Sequence, residues 1–314
     1  MPITTTGTLP APVQQSFNQM ILSTPVPNYI HRIPAMREHM PANGGRIMRF
    51  RRYNPLNSAL VPLGNSGVTP PSQNLTAVDI DAEISFYGTY VEINEQVTLQ
   101  SQDPVLNNAS IRLGDSLRRT EDELTRNMLA GTAAFQNCVG GANGDVPSNI
   151  TEGSIATVTR TLIGNDGHMF LSSIEGEDKY LTSPVRNAYF ALCHTDLTPS
   201  LDALPSSINA ARYPNQQNVI DSEWCAVNNL RFLVSSIGSI TPNASFLGRN
   251  IYNIFCVAKE AYAVVEQDRY TAQFVYLPAQ FSGPLAQNVT AGYKFASAYR
   301  ILNDAWVINM RATI

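Results

Sequence analysis

Residues 76–99 open with strict alternation. Val78, Ile80, Ala82, Ile84 and Phe86 fall on one side of an extended chain, and Asp79, Asp81, Glu83 and Ser85 on the other. That period of two predicts a strand with one apolar face. Residues 45–53 read as a second strand, inside the stretch NGGRIMRFRRYNPL. Between them, NPLNSALVPLGNSGVTPPSQN supplies the Pro, Gly, Asn and Ser of a long turn region. The two arms together predict an extended antiparallel ribbon over 44–100. An isolated two-stranded ribbon is marginal in water, so this one needs its own body or a neighbouring copy to lie on.

The period changes after residue 100. In QDPVLNNASIRLGDSLRRTEDELTRNMLAGT, the residues Leu106, Ala109, Leu113, Leu117, Leu124 and Met128 recur at three- and four-residue steps, with one gap at Thr120–Glu121. They draw the apolar stripe of a long helix. Asp103 suits the N-cap and Pro104 the first helical position, and Gly131 is placed to end it. Asp115/Arg119 and Asp122/Arg126 are spaced as i,i+4 ion pairs. Gly114 in mid-helix hints at a bend or a close packing contact. Further on, GSIATVTRTLI fits a helix or a strand, and VRNAYFALCHTDL reads as a buried strand running into a turn. LRFLVSSI, NIFCVAKEAYAVVE, TAQFVYL, GYKFASAYRILND and AWVINMRAT read as strands, and 199–223 is polar and irregular. Residues 1–27 are rich in Thr, Pro and Gln, with a short helix over Gln14–Leu22 closed by Pro25 and Pro27. No repeat or long linker divides the chain.

Composition then narrows the class. With 44% hydrophobic residues the chain builds a real core. Only 15% of its residues are charged, against about 25% in ordinary globular proteins, which suggests that much of the surface meets other protein. Lysine occurs only at 179, 259 and 294, and the rest of the basic residues are Arg, the type enriched at interfaces. Cys138, Cys193, Cys225 and Cys256 stand far apart without a CxxC pair, as buried free thiols do. No signal peptide and no membrane span is expected. The chain lacks a G-x-S-x-G elbow, H-E-x-x-H, a Walker loop and a G-x-G-x-x-G after a strand. VGGANGD at 139–145 reads as a flexible loop, and His31, His39, His168 and His194 are scattered. No catalytic residue, metal site or cofactor is expected.

One local feature runs against the net charge of -4: Arg46, Arg49, Arg51 and Arg52 crowd into seven residues. A basic strand with interleaved Phe50 and Tyr53 fits a nucleic-acid-binding module. A solvated surface strand is a second reading. The acidic return arm carrying Asp79, Asp81 and Glu83 favours a third, in which these charges pair within the ribbon or across a protein–protein contact.

Three blocks, NGGRIMRFRRYNPLNSALVPLGNSGVTP, LTAVDIDAEISFYGTYVEINEQVTL and DPVLNNASIRLGDSLRRTEDELTRNMLAGT, resemble in that order the major capsid proteins of tailed bacteriophages, in the short-tailed branch. LTSPVRNAYFALCHTDLTPSLDAL, NNLRFLVSSIGSI and AGYKFASAYRILNDAWVINMRAT continue the likeness to about residue 311. The resemblance implies an α+β chain of the Hong Kong 97 type. Its parts would be an N-terminal arm (1–43), an extended loop (44–100), a spine helix in a peripheral domain (101–131) and an axial domain around a central sheet (132–262). A return to the peripheral domain (263–290) and C-terminal strands of the axial domain (291–314) would follow. It implies a structural, non-enzymatic protein assembling into hexamers and pentamers of an icosahedral shell around DNA, in the host cytoplasm and then in the virion. The contacts between copies are expected at Arg46, Arg49, Arg51, Arg52, Asp79, Asp81, Glu83, Arg118 and Arg119. A portal is implied, with DNA enclosed but not read by sequence. Two departures bear on this. No Lys precedes residue 179, which removes the lysine cross-link that some members form in the loop. Residues 1–27 are too short for the scaffolding domain that others carry, so a separate scaffolding protein is expected, with room for a decoration protein.

Overall fold

The computed structural model describes residues 26–58, 60, 72–94, 96, 105–132, 134–138, 147–170, 187–213, 219–220, 222–242, 249–278 and 287–314. The helix expected at Gln14–Leu22, the cap at Asp103 and Pro104 and the loop 139–145 lie outside them. In chain order the elements are β1 (Met36–Met40), β2 (Ile47–Tyr53), β3 (Ala77–Glu83), β4 (Ser85–Asn94), α1 (Val105–Ala130), β5 (Phe135–Asn137), α2 (Glu152–Gly164), β6 (Tyr189–His194) and α3 (Thr198–Asp202). They continue with β7 (Ile208–Asn209), β8 (Glu223–Val227), β9 (Leu230–Ser235), β10 (Ile240–Thr241), β11 (Ile251–Val257), β12 (Tyr262–Gln267), β13 (Gln273–Leu277), β14 (Asn288–Ile301) and β15 (Val307–Ala312).

Helix α1, 26 residues and about 39 Å long, spans two sheets. Over residues 106–124 it lays Leu106, Leu113, Leu117 and Leu124 on Tyr87, Ala291, Tyr293 and Phe295 of the first sheet. Its last turn puts Met128 and Leu129 into the core of the second sheet, beside Ile30, Leu192, Phe255 and Val257. Gly114 is exposed, and a Cβ there would meet nothing within 4 Å. The residue therefore makes no close contact. The expected Asp115/Arg119 and Asp122/Arg126 pairs give way to Arg112–Asp115 and Arg119–Glu123. Asp122 turns inward, and Arg126 donates to the Ile237 carbonyl.

The first sheet is organised by β14. One of its edges pairs with β4 from Asn288↔Asn94 to Ser297↔Ser85. The other is shared end to end by β13 and β12, and β1 adds parallel to β12. Here the expected division fails. Residues 291–314 do not form a pair of strands in one sheet, because β14 belongs to the first sheet and β15 to the second. The alternation of β14 is satisfied by the leucines of α1 on one side, and periodicity alone does not say which sheet supplies its partners. Two glycines let β4 and β14 approach. A Cβ on Gly292 would lie 2.7 Å from the Thr89 carbonyl oxygen, and one on Gly88 would lie 2.7 Å from that of Tyr293.

The second sheet runs β5-β15-β11-β6-β9-β8-β7, with β10 on β11. Both faces are covered, so its strands read as nearly continuous apolar runs. Ile155, Val158 and Leu162 of α2, with Leu197 and Leu201, close one face. Helix α1 and Ile30 close the other. The segment that fitted helix or strand is α2, capped by Thr151 on the Ser154 N–H. All four cysteines are buried and free. Burial pushes the Cys138 and Cys225 thiols up to about 11, which leaves little thiolate at neutral pH.

Gly114→Ala should raise stability by about 1 kcal/mol, the helix-propensity difference at an open site. Gly292→Ala should lower it by about 1–3 kcal/mol through the forced contact with β4. Urea unfolding of the two variants checks both signs.

Candidate functional site

The predicted ribbon is real at its base. Strands β2 and β3 pair in the register Ile47↔Glu83, Arg49↔Asp81, Arg51↔Asp79 and Tyr53↔Ala77, so Asp81 and Asp79 each lie directly across from an arginine while Glu83 lies across from Ile47. Arg49 donates to both Asp81 oxygens at 2.7 and 3.0 Å, and Arg51 to both Asp79 oxygens at 2.7 and 2.9 Å. Arg46 reaches Glu83 at 2.5 Å. Beyond the strands, Asn54 bonds Thr76, and Asn57 and Gln73 exchange side-chain-to-backbone bonds. From Arg46 to Glu83 the chain carries four arginines and three carboxylates, a net charge of +1, a weak field for a phosphate backbone. Arg52 sits on the opposite face, exposed, across from Val78. No carboxylate lies within 4 Å of it among the described residues.

The hydrogen bonds from Arg51 hold the Asp79 carboxyl below the usual carboxylate range, and those from Arg49 do the same for Asp81. Whatever stiffness these pairs lend the ribbon is therefore present above the ordinary aspartate range and lost as pH falls through the lowered values.

The expected single strand 76–99 is broken at Ile84. Its N–H donates to the Arg46 carbonyl at 2.9 Å and its side chain is buried. There the chain leaves the ribbon and enters the first sheet as β4. The apolar ribbon face made by Met48, Phe50, Ala82 and Ile84 packs on Met40, Val265, Ala296 and Ala298. That seat ends at Phe50 and Ile80. Farther out, Tyr53, Leu56, Leu60, Leu75 and Val78 are exposed.

The seat is part of a longer surface. On the same face of the first sheet as Ala296, the register brings together Phe86, Tyr90 and Glu92 of β4, Lys294 of β14, and Val275 and Leu277 of β13. Phe86 and Tyr90 are 67% and 68% exposed, a high value for aromatic side chains in mid-strand. Tyr90 lies across from Gly292, which leaves it room. Glu92 meets no cation within 4 Å among the described residues.

Two further expected contact residues lie on α1. Arg119 is held by Glu123 at 2.9 Å in its own helix. Arg118 is exposed. Sequence reasoning missed a third group, buried where the helical stripe shows its gap. Glu121 and Asp122 point inward to His31 and Arg32. A carboxylate at a core-facing step of the stripe was the available signal.

No family model and no curated protein matches the chain. Among solved structures it is similar to the capsid of Ralstonia phage GP4, with a TM-score of 0.74 at 13% identity over 100% of this chain and 98% of that one. It is similar also to the capsid of cyanophage P-SCSP1u, at 0.64 and 13% over 96% and 93%. The head of Helicobacter pylori bacteriophage KHP40 matches at 0.64 and 10% over 100% and 98%. What is shared is the fold, and the expected Hong Kong 97-type α+β architecture is the one observed.

Carbon-detected titration of the ribbon carboxyls should place Asp79 and Asp81 below ordinary aspartates. Arg49→Ala should bring Asp81 back up while Asp79 stays low. If both stay unmoved, the bidentate pairs are not formed in solution.

Proposed function

We propose that this chain is the major structural subunit of a phage head. It would assemble into hexamers and pentamers of an icosahedral shell that encloses DNA, acting through surfaces rather than through chemistry. The fold shared over nearly the full length with capsid proteins of three phages supports this reading.

The observation that carries it is a matched incompleteness. The ribbon seats only its inner half on its own body, and the first sheet covers only part of the same face. An outer half of ribbon bearing Val78 and Arg52 fits the uncovered strip with Tyr90, Leu277 and Glu92 on a sister copy, Arg52 and Glu92 having no ion-pair partner among the described residues. Such a contact joins two different surfaces, so it repeats head to tail and closes into a ring when the rotation allows. Each ring contact would bury apolar side chains that one chain leaves in water.

In this reading the Arg49–Asp81, Arg51–Asp79 and Arg46–Glu83 pairs hold the ribbon's shape for docking, and Arg52 makes the outward contact. Arg118, exposed on the helix, would face a neighbour as well. A separate scaffolding protein, a portal and a decoration protein are partners of the assembled shell, and assembly would take place in the host cytoplasm. The DNA would be held by enclosure. A nucleic-acid-binding ribbon is the weaker reading, since three of its four arginines are already paired.

Expression followed by sedimentation and electron microscopy tests the proposal, with the scaffolding protein supplied if needed. Shells, hexamers or tubes are expected, and a chain that stays monomeric under all these conditions refutes it. Arg52→Glu should leave the far-ultraviolet circular dichroism unchanged and lower particle yield at least tenfold. Arg49→Asp should also lower yield, and adding Asp81→Arg should restore it. Failure of that swap to rescue would assign the pair a direct role between copies.

A further inference from the structure

Residues 28–32 form a strap across the junction of helix and sheets. The Asn28 carbonyl accepts from Ser235 at the end of β9. Tyr29 donates its hydroxyl to the Asp115 carbonyl of α1 at 3.1 Å. Ile30 is buried in the second sheet's core. His31 is fully buried: its backbone N–H donates to one Asp122 oxygen at 2.8 Å and its Nδ1 lies 2.7 Å from the other. Tyr262 of β12 donates to the His31 carbonyl. Arg32 bridges Glu121 of α1 and Glu266 of β12.

The charges do not balance. Three buried carboxylates, Glu121, Asp122 and Glu266, are in direct contact with one guanidinium and one imidazole, while Arg37 and Arg118 act on Glu121 only from exposed positions. Among these contacting groups a negative excess remains whichever form the imidazole takes. Buried like charges are costly, and the cheapest relief is to bind a proton. Glu121 is the group placed to take it: burial raises its carboxyl above the usual glutamate range, against the opposing pull of Arg32, Arg37 and Arg118. The other faces of the cluster offer Phe255 of β11, 6.3 Å from the His31 ring, and the hydroxyls of Tyr262 and Tyr299, both raised by burial. None of these neutralises the excess.

We propose that this junction is a proton-loaded clasp. Closing the strap onto α1 takes one proton from water into the carboxylate cluster, so mild acid tightens the strap and rising pH loosens it. A carboxyl with a higher affinity for protons when folded contributes stability below its ordinary range, and that stability is lost as pH rises through the raised value. The direction is opposite to ordinary acid denaturation, in which protonation breaks paired carboxylates. Because the strap touches the helix and both sheets, the proton sets how firmly the two sheets are tied. This inference stands on the chain itself and does not depend on the assembly reading.

Hydrogen exchange of the amides of residues 29–33 in the full-length soluble chain, between pH 5 and 8 and corrected for intrinsic rates, tests it. The opening constant should rise with pH, by up to tenfold per unit for one linked proton. Glu121→Gln, which cannot ionise, should keep the strap protected at pH 8 and flatten the slope. A flat or reversed profile in the unmodified chain overturns the clasp, as does a slope that survives in Glu121→Gln. Should that variant fail to fold, the unmodified profile decides alone.

Discussion

The burial of a single long helix against two different cores governs this molecule. Helix α1 contributes side chains to both, with Leu113 and Leu117 on the first sheet and Leu129 on the second. A stripe of leucines on one helix is ordinary. Here its two ends serve different partners, and between them the stripe is interrupted by Glu121 and Asp122. The interruption is not a lapse in packing. It is where the N-terminal strap crosses the helix, and the polar groups of the strap need partners of their own kind when water is excluded.

Local patterns in the chain mapped well onto local structure. The alternation of residues 78–84, the acid-opposite-base arrangement of the ribbon, the length of α1 and the apolar runs of β6, β9 and β11 were all readable from residue order. Three things were not. The break at Ile84 was hidden because an apolar residue in step continues the alternation even where the chain changes sheets. The placement of β14 in the first sheet was hidden because an amphipathic strand states that it needs a cover, without naming it. The buried pairing of His31 with Asp122 joins residues 91 apart in sequence, and no local signal links them. Asp122 had an equally good surface partner at the correct helical spacing in Arg126, which instead bonds a carbonyl.

The ribbon shows how charge can serve shape. Arg49 and Arg51 meet their acids with both guanidinium branches in parallel, a geometry that fixes direction as well as distance. The pairs are exposed, so their value lies in alignment more than in stability. By satisfying each other they strip the ribbon of the positive field its sequence advertises. What remains is the other face, with apolar residues and Arg52, which meets no carboxylate within 4 Å among the described residues.

The long strand β14 carries a consequence for the order of events as the chain emerges. Its partner β4 lies nearly two hundred positions earlier, pairing Asn288 with Asn94, and it also supplies Ala296 and Ala298, on which the ribbon's base rests. Until translation reaches those alanines, a ribbon made early has nowhere to sit. Synthesis of β14 thus acts as a built-in timer, holding back the seated form of the ribbon until Ala296 and Ala298 have been made.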